Sequence, residues 1–284
     1  MIPQEFNYAS PKTLNEALGL IASGGKPLAG GHSLIPLMKL RLAAPEQLVD
    51  LRHIAGLNRM EAQGGALHIG AMATHYEIES SALVRSRCPL LSETASHIGD
   101  MQVRNMGTIG GSVAHADPAA DYPAALFALE AKMLLRSTAG QRTVTVEDFF
   151  VEALTTALEP GEIVAKVIVP VEDQGTGVSY QKMEQPASGF AIVGVAARIR
   201  KAAGKLTMVR VGVTGLGPKA YRARGVEQAL EGTYGGEDDI KRAAHEADAG
   251  ADANSDLHAS ADYRRHLARV YTARALRTAL ARSV

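Results

Sequence analysis

The chain has 284 residues, a formal net charge of zero at pH 7 and one cysteine. That length is enough for one large domain or two ordinary ones with a substantial hydrophobic core. A neutral chain lacks the positive field that broad binding to nucleic acids or anionic membranes needs, so we expect neither partner. Because Cys88 is alone, this chain by itself can form neither an intramolecular disulfide nor a cysteine-ligated iron–sulfur cluster.

The N-terminal segment Met1–Phe6 shows no basic region followed by an apolar run. No segment approaches the ~20 consecutive apolar residues of a membrane span. We therefore expect no secretion signal, no membrane-spanning segment and a cytoplasmic location.

Residues 1–56 have the pattern of a first α/β lobe. Thr13 and Glu16 fit a capping box ahead of an apolar stripe at helical spacing, and Gly24-Gly25 ends that helix. The other predicted elements of this lobe are a strand over Lys26–Ala29, a helix over Leu34–Leu42 and a strand over Gln47–Leu51.

Residues 57–174 predict a second lobe. Gly64-Gly65 lies between two short strand patterns, 58–63 and 66–69, which indicates a hairpin, and Thr74 with Glu77 fits another capping box. The later predicted elements are helices over Pro89–Met101 and Asp117–Glu130 and strands over Met133–Ser137, Arg142–Val146 and Glu162–Val169.

Residues 175–284 change in character, with three successive strand patterns followed by helical ones. The predicted strands are Val178–Lys182, Phe190–Lys201 and Lys205–Thr214, and the predicted helices are Arg224–Glu231, Glu237–Asp248 and Ser260–Ala281. Several arginines recur in the last helix, which is typical of a solvated helix face or a subunit contact. The chain is thus expected to be α+β, with two α/β lobes followed by a three-stranded antiparallel sheet covered by helices.

Two glycine pairs are the main candidates for a ligand site. The first lies in Ala29–Ser33, where a strand leads into a helix, and the second in Gly107–Ser112. Adjacent glycines permit positive φ and leave no side-chain bulk, so that successive backbone N–H groups can converge on an anion. Two such segments suit the two phosphates of a dinucleotide, although both could also be ordinary tight turns.

These two segments carry a family resemblance. Ala29-Gly30-Gly31-His32-Ser33 together with Thr108-Ile109-Gly110-Gly111-Ser112 resembles the paired motif of the FAD-binding medium subunits of molybdenum hydroxylases, such as carbon monoxide dehydrogenase and bacterial xanthine dehydrogenases. Asp117–Asp121 follows at the family's spacing, and Lys182–Ala197 resembles the start of its C-terminal domain. The resemblance implies a two-lobed PCMH-type FAD-binding domain over 1–174 and a C-terminal domain of carbon monoxide dehydrogenase flavoprotein type over 175–284.

The resemblance also implies which residues hold the cofactor. The wall around the pyrophosphate would comprise Ala29, Gly30, Gly31, His32, Ser33, Leu34 and Ile35. The wall around the phosphates and ribityl chain would comprise Thr108, Gly110, Gly111 and Ser112. The other implied contacts are Asp121 to cofactor hydroxyls, Ile163 and Lys182 near the flavin ring, and Phe190 beside the isoalloxazine. Gly189 departs from the many relatives that carry an acidic residue before this aromatic, and Pro186–Phe190 resembles the carbon monoxide dehydrogenase branch.

By the same resemblance, the chain is an electron-transfer subunit with no catalytic residue and no metal of its own. A small partner would carry two [2Fe-2S] clusters and a large partner the molybdenum cofactor, in a dimer of heterotrimers. The FAD would pass electrons to an external acceptor such as a quinone, NAD or oxygen. The alternatives are a self-sufficient FAD-dependent oxidoreductase and a structural subunit that has lost its flavin.

Four other patterns suggest different chemistry. Gly215–Ala220 matches a relaxed Rossmann fingerprint, but Pro218 falls inside the loop that must donate amides. His115 and Asp117 are two residues apart without a clustered ligand set for zinc. Cys88 could attach a flavin covalently or be a small buried hydrophobe. Asp117 and Asp121 could form a carboxylate dyad, although one capping residue and one ligand contact is the interpretation we favour.

Overall fold

The computed structural model describes residues 2–284, which form strands and helices in the predicted α+β arrangement. The strands are β1 (Asn7–Ala9), β2 (Lys26–Leu28), β3 (Gln47–Asp50), β4 (Met60–Gln63), β5 (Ala66–Gly70), β6 (Lys132–Ser137), β7 (Gly140–Thr145), β8 (Phe150–Glu152), β9 (Thr155–Thr156), β10 (Ile163–Pro170), β11 (Gly177–Glu184), β12 (Ala191–Ala202), β13 (Lys205–Thr214) and β14 (Tyr221–Arg222).

The helices are mostly short. They are α1 (Leu14–Ala22), α2 (Leu34–Lys39), α3 (His75–Ser80), α4 (Ala82–Arg87), α5 (Pro89–Ser96), α6 (Met101–Met106), α7 (Ile109–His115), α8 (Asp121–Ala128), α9 (Val146–Phe149), α10 (Arg224–Leu230), α11 (Glu237–Ala244) and α12 (Ala261–Arg282), with a 3₁₀ turn at His245–Asp248.

Three sheets organise the chain. The first is parallel, in the order β1-β3-β2, and the second is antiparallel, in the order β4-β5-β10-β6-β7. The third is antiparallel, in the order β11-β12-β13-β14. A small pair, β8-β9, completes the set. The predicted hairpin at Gly64-Gly65 is confirmed: both glycines have positive φ (+61° and +75°), as a two-residue turn between antiparallel strands requires.

Three predicted elements differ from the structure. The helix expected over Pro89–Met101 ends at Ser96, since Gly99 adopts φ +48° and Asp100 accepts the N–H of Val103 to begin α6. The helix expected from Asp117 begins only at Asp121, because the carboxylate of Asp117 accepts the N–H of Ala119 and closes a turn. The last sheet gains a fourth strand, β14, which at two residues is too short to show a periodic pattern.

Helix α8 lies at the centre of the molecule. All eight of its residues are buried, between α5 and the β12–β13 face of the last sheet. Gly212 of β13 makes this packing close, because a Cβ there would overlap the carbonyl oxygen of Ala124. Asp121 is therefore carried on the first turn of a helix that is enclosed on several sides.

The arginines of α12 mostly bind other parts of the chain. Arg264, with 6% of its side chain exposed, donates to the carbonyls of Ile192 and Gly215 at 2.6 Å and pairs with Asp256. Arg269 forms two hydrogen bonds with Asp248, and Arg277 forms two with Glu237. The expectation of a solvated face or a subunit contact is therefore wrong for Arg264, which fastens α12 to the sheet.

Candidate cofactor-binding site

The first glycine motif is a loop with unused backbone donors. It follows β2 at its carboxyl end, and Gly31 adopts φ +78°. Within residues 2–284, none of the N–H groups of Gly30–Leu34 donates to a backbone or side-chain acceptor. The hydroxyl of Ser33 likewise has no partner in this part of the chain. Consecutive free amides beside a short helix form a concave, electropositive surface suited to an anion.

The second glycine motif is built differently. Thr108 caps α7, and its hydroxyl accepts the N–H of Gly111 at 3.1 Å. The N–H groups of Ile109 and Gly110 donate to the carbonyls of Ala73 and Ala71. The N–H groups of Gly107 and of Ile109–Ser112 are thus bonded within the chain, and among the described residues only that of Thr108 in this motif has no acceptor. The row of free amides lies in the first motif, and binding of an anion by either motif stays a prediction. The glycines of the second serve close packing: a Cβ on Gly110 would overlap Ala71.

The fold brings the two motifs into contact. A Cβ on Gly30 would overlap the carbonyl oxygen of Met106 and lie 2.8 Å from the Cα of Gly107. A Cβ on Gly111 would lie 3.5 Å from the Cβ of Ala29. The absence of a side chain at Gly30 therefore lets the two loops touch, and the free amides of the first motif lie beside the helix cap of the second.

A cleft of about 340 Å³ adjoins this contact, between residues 52–58 and residues 72–108. Its lining residues are Arg52, His53, Ile54, Ala55, Gly56, Asn58, Met72, Thr74, Glu77, Asn105, Met106 and Thr108. Arg52 is held in place by the buried carboxylate of Asp50, which receives its Nε and Nη2 at 2.6–3.0 Å. Desolvation acts to raise the pKa of Asp50, but the hydrogen bonds from Arg52 and Tyr8 outweigh it and lower that pKa to about 2.

A buried charged cluster forms a second part of the candidate site. The Nζ of Lys182 lies 3.1 Å from Oδ1 of Asp121, and their side chains are 2% and 4% exposed. Tyr180 donates its hydroxyl to the same carboxylate at 2.5 Å. Burial raises the pKa of Asp121 to about 6, although the Lys182 ammonium and the Tyr180 hydrogen bond both favour the charged form.

Lys182 also connects this cluster to the loop that carries Phe190. Its ammonium donates to the carbonyls of His97 and Gly189, both at 2.6 Å. Phe190 follows at once, with 46% of its surface exposed. Lys182 thus joins α8, the end of α5 and the β11–β12 loop, and it brings together the predicted Asp121, Lys182 and Phe190.

His75 links the glycine motifs to this cluster. Its backbone N–H donates to the carbonyl of Gly107, and its Nδ1 lies 3.3 Å from the hydroxyl of Tyr122, the neighbour of Asp121. Burial lowers the pKa of His75 to about 3, with a smaller contribution from His32 of the first motif. The imidazole is therefore neutral at pH 7 and acts as a structural bridge.

Two other predicted residues, Ile163 and Ile35, lie outside the row of free amides and outside the charged cluster. Ile163 is 4% exposed and belongs to a hydrophobic cluster with Leu18 and Met72, against which Ala29 also packs. This cluster therefore packs against Ala29 of the first motif, and a contact between Ile163 and the flavin stays a prediction. Ile35 is 39% exposed on α2.

Sequence reasoning missed His75, Tyr122 and Tyr180. One signal was present for Tyr180: it lies two residues before Lys182 in a predicted strand, and such residues share a face. His75 and Tyr122 meet only through the fold, 47 residues apart along the chain, and no local pattern marks that contact.

The structure also bears on the competing patterns. Cys88 is fully buried, which raises the pKa of its thiol to about 12 and leaves no surface for flavin attachment. Gly215 connects antiparallel strands, and its N–H donates to the carbonyl of Pro118. Residues 2–284 contain no cluster of three metal-ligating side chains. Over the same residues, no helix is both long and apolar enough to cross a bilayer.

Comparison with known proteins gives matches over nearly the whole chain. Residues 4–172 match the family described as the FAD binding domain in molybdopterin dehydrogenase, and residues 178–279 match the carbon monoxide dehydrogenase flavoprotein C-terminal domain. The carbon monoxide dehydrogenase medium chain of Hydrogenophaga pseudoflava is 40% identical, with 99% of each chain covered. The glyceraldehyde dehydrogenase medium chain of Sulfolobus acidocaldarius is 37% identical, over 98% of this chain and 99% of the relative.

Solved structures agree with these matches. Carbon monoxide dehydrogenase from Hydrogenophaga pseudoflava superposes with a TM-score of 0.97 at 40% identity, with both chains fully covered. Quinoline 2-oxidoreductase from Pseudomonas putida 86 superposes with a TM-score of 0.94 at 32% identity, over 99% of each chain. The two family regions, the full-length identities and the paired glycine motifs lead to one conclusion: the chain belongs to the FAD-binding medium subunits of the molybdenum hydroxylases, which are components of multi-subunit oxidoreductases.

Proposed function

We propose that this subunit is the electron exit of a molybdenum hydroxylase complex. It would hold FAD, take electrons from the iron–sulfur clusters of a small partner, and pass them to an external acceptor such as a quinone, NAD or oxygen. The observation that carries this proposal is the row of free amides at Gly30–Leu34, held against the Thr108 cap by the contact of Gly30 with Met106. When bound, FAD supplies the exchange between one-electron and two-electron steps.

The residues present fit such a cofactor. A pyrophosphate is an anion with many acceptor oxygens, and the free N–H groups of the first motif offer donors without competition from the chain. The hydroxyls of Ser33 and Ser112, which form no hydrogen bond within residues 2–284, are further donors beside them. We assign the pyrophosphate to this wall, and the cleft lined by Thr108 and Met106 to a neighbouring part of the dinucleotide.

We assign the charged cluster of Asp121, Lys182 and Tyr180 to the flavin end of the cofactor. Lys182 places a positive charge beside Asp121 and beside the backbone of Gly189. A fixed cation near a flavin favours any negative charge that the ring acquires on reduction. Phe190, exposed on the adjoining loop, would contact the ring. In this assignment Asp121 holds Lys182 and Tyr180 in place as well as receiving the cofactor's hydroxyls.

We infer the partners from two observations: this chain has a single cysteine, and its relatives are named as medium chains. With one buried cysteine it cannot ligate a [2Fe-2S] cluster by itself, so the clusters would lie in a small subunit and the molybdenum cofactor in a large one. Relatives named as medium chains support this division. A dimer of heterotrimers and a cytoplasmic location complete the proposal.

The substrate would be chosen outside this chain. Curated relatives of similar identity belong to enzymes named for carbon monoxide, glyceraldehyde, nicotine and caffeine. A medium subunit common to such different substrates is consistent with substrate selection in the large subunit.

Absorption spectroscopy of the complex purified with its partners tests the assignment. Flavin bands at about 370 and 450 nm that bleach with dithionite are expected. The reducing substrate of the complex should bleach the same bands through the partner subunits. Substrate turnover by this chain alone would favour a self-sufficient flavoenzyme. A complex without flavin, even after incubation with FAD, would favour a structural subunit and end the proposal.

A further inference from the structure

The loop between β11 and β12 has an internal organiser. It runs over Gln185–Phe190, and the side-chain oxygen of Gln185 accepts three hydrogen bonds. These come from the N–H of Ala187 at 2.6 Å, the N–H of Ser188 at 2.7 Å and the hydroxyl of Ser188 at 3.2 Å. One amide oxygen therefore accepts from all three donors at the tip of the loop and fixes the backbone conformation there.

The same network reaches Phe190 from both sides. The hydroxyl of Ser188 accepts the N–H of Phe190 at 3.3 Å, and the carbonyl of Phe190 accepts the N–H of Gln185 at 2.9 Å. The carbonyl of Gln185 also accepts the N–H of Gly189 at 2.8 Å, and Gly189 adopts φ +71°. The carbonyl of Phe190 is thus bonded to Gln185 directly, and its N–H is connected to Gln185 through the hydroxyl of Ser188.

The loop is also fastened to the FAD-binding region. Lys182 donates to the carbonyl of Gly189, and a Cβ on Gly189 would lie 3.3 Å from the Cα of Gly99. Lys182, which lies outside the loop, therefore fixes its C-terminal end at Gly189. Among the described residues, the tip at 187–188 is held only by hydrogen bonds to Gln185. Gln185 and the buried Lys182–Asp121 pair therefore hold different parts of the loop.

We propose that Gln185 is a positioning residue for the flavin site: its side-chain oxygen holds the loop in the one conformation that presents the Phe190 ring to the cofactor. The inference rests on the proposed function, because it requires a flavin beside Phe190. It adds a residue that does not contact the cofactor and acts through Phe190.

The decisive variant is Gln185→Met, which keeps the length of the side chain and removes the acceptor. In the complex purified with its partners, hydrogen exchange of the loop peptide should accelerate by about tenfold or more. The N–H of Ala187 and the hydroxyl of Ser188 lose their acceptor, and the N–H of Ser188 keeps only its 3.3 Å bond to the backbone carbonyl of Gln185. The visible circular dichroism of the bound flavin should change in the same sense as in Phe190→Leu. In the flavin dichroism, the double variant Gln185→Met/Phe190→Leu should show no change beyond that of Phe190→Leu alone, whereas its loop exchange should stay accelerated.

Two further variants keep the test interpretable. Gln185→Glu retains an acceptor oxygen and should keep slow exchange and the wild-type dichroism. Ser188→Ala removes only the hydroxyl link and should shift both signals in the same direction by less, which serves if Gln185→Met fails to fold. The matched control is Gln141→Met in the β6–β7 hairpin, where the amide oxygen accepts only a 3.4 Å contact from Arg136, and it should leave both signals unchanged.

The outcomes separate the two proposals. Faster exchange with an unchanged flavin dichroism in Gln185→Met overturns the positioning role, as does unchanged exchange. A change in flavin dichroism caused by Gln185→Met that persists in full when Phe190 is replaced also overturns it. A wild-type complex that binds no flavin defeats the proposed function itself and the inference with it, and the absorption spectrum recognises that case before any variant is made.

Discussion

Lys182 and Asp121 form an ion pair that is almost completely removed from water, with Nζ and Oδ1 3.1 Å apart. Such a pair gains little over neutral packing, but the loss of one partner is costly because the other charge is left buried. Lys182 is further held by the carbonyls of His97 and Gly189, so the pair fixes the junction of three segments.

Asp121→Asn should reduce the free energy of unfolding by about 3 kcal/mol, because it leaves the Lys182 ammonium buried without a counter-charge. Lys182→Met should also destabilise, and the double variant should cost less than the sum of the two by about 1 kcal/mol or more. Denaturant unfolding of the three variants measures this coupling. As a control, Lys166→Met breaks a half-exposed 3.1 Å pair with Glu61 and should cost less than about 1 kcal/mol. Additive losses at Asp121 and Lys182 would contradict the prediction.

Gly30→Ala should separate the two glycine motifs. The added Cβ overlaps the backbone carbonyl of Met106, so the first loop must move away from the Thr108 cap. We expect a loss of about 1–3 kcal/mol in stability and a large fall in the FAD content of the purified complex. Gly19→Ala is the control, since a Cβ there meets no atom within 4 Å and lies in a helix, where alanine is favoured. Full FAD occupancy in Gly30→Ala would show that the contact is dispensable.

Thr108→Val removes the hydroxyl that accepts the N–H of Gly111. The loss of a helix cap should cost about 1 kcal/mol of stability and should also raise the dissociation constant for FAD, because the cap borders the proposed phosphate wall. Thr13→Val removes the corresponding cap of α1, where the hydroxyl accepts the N–H of Glu16 at 3.3 Å. The two variants should lose similar stability, but only Thr108→Val should bind FAD more weakly. Equal FAD affinity in both would remove Thr108 from the site.

His75 should make the subunit sensitive to acid. Burial lowers its pKa from 6.5 to about 3, so between these values the unfolded chain binds a proton that the folded chain excludes. Stability is therefore retained above pH 6.5 and lost as the pH falls, by at most about 1.4 kcal/mol per pH unit from this group. His75→Gln should flatten this part of the unfolding free energy measured from pH 7 to pH 5. His245→Gln, at an exposed position, should keep the wild-type slope.

The sequence was sufficient to predict the local parts of this site. Glycine pairs mark loops, capping boxes mark helix starts, and strand periodicity placed Lys182 on the first strand of the last sheet. Each of these signals depends on residues that are near one another in the chain. For the same reason, the fold class and the hairpin at Gly64-Gly65 were predicted correctly.

The contacts that assemble the site join residues far apart in the chain, so no local sequence pattern predicts them. Lys182 reaches a carbonyl 85 residues away at His97, and Gly30 contacts Met106, which also lies far away in the chain. Nothing in Thr108–Ser112 reveals that the amides of Ile109 and Gly110 already donate to Ala73 and Ala71. The sequence therefore suggested two loops of free amides, where the structure has one row of them, at Gly30–Leu34. The helix predicted across Gly99 was wrong because one residue with positive φ is enough to end a helix.

The packing around α8 has a consequence for folding. The hydrophobic cluster that holds Tyr122 and Leu126 also holds Val178, Tyr180 and Ala196 from the last sheet. Thr214 donates its hydroxyl toward the carbonyls of Pro118 and Ala120, and Ala191 donates its N–H to Ala119. A cut near residue 175 would expose an apolar helix and orphan these carbonyls. We therefore expect the two regions, which match two separate families, to depend on each other for stability and to unfold together rather than as independent domains.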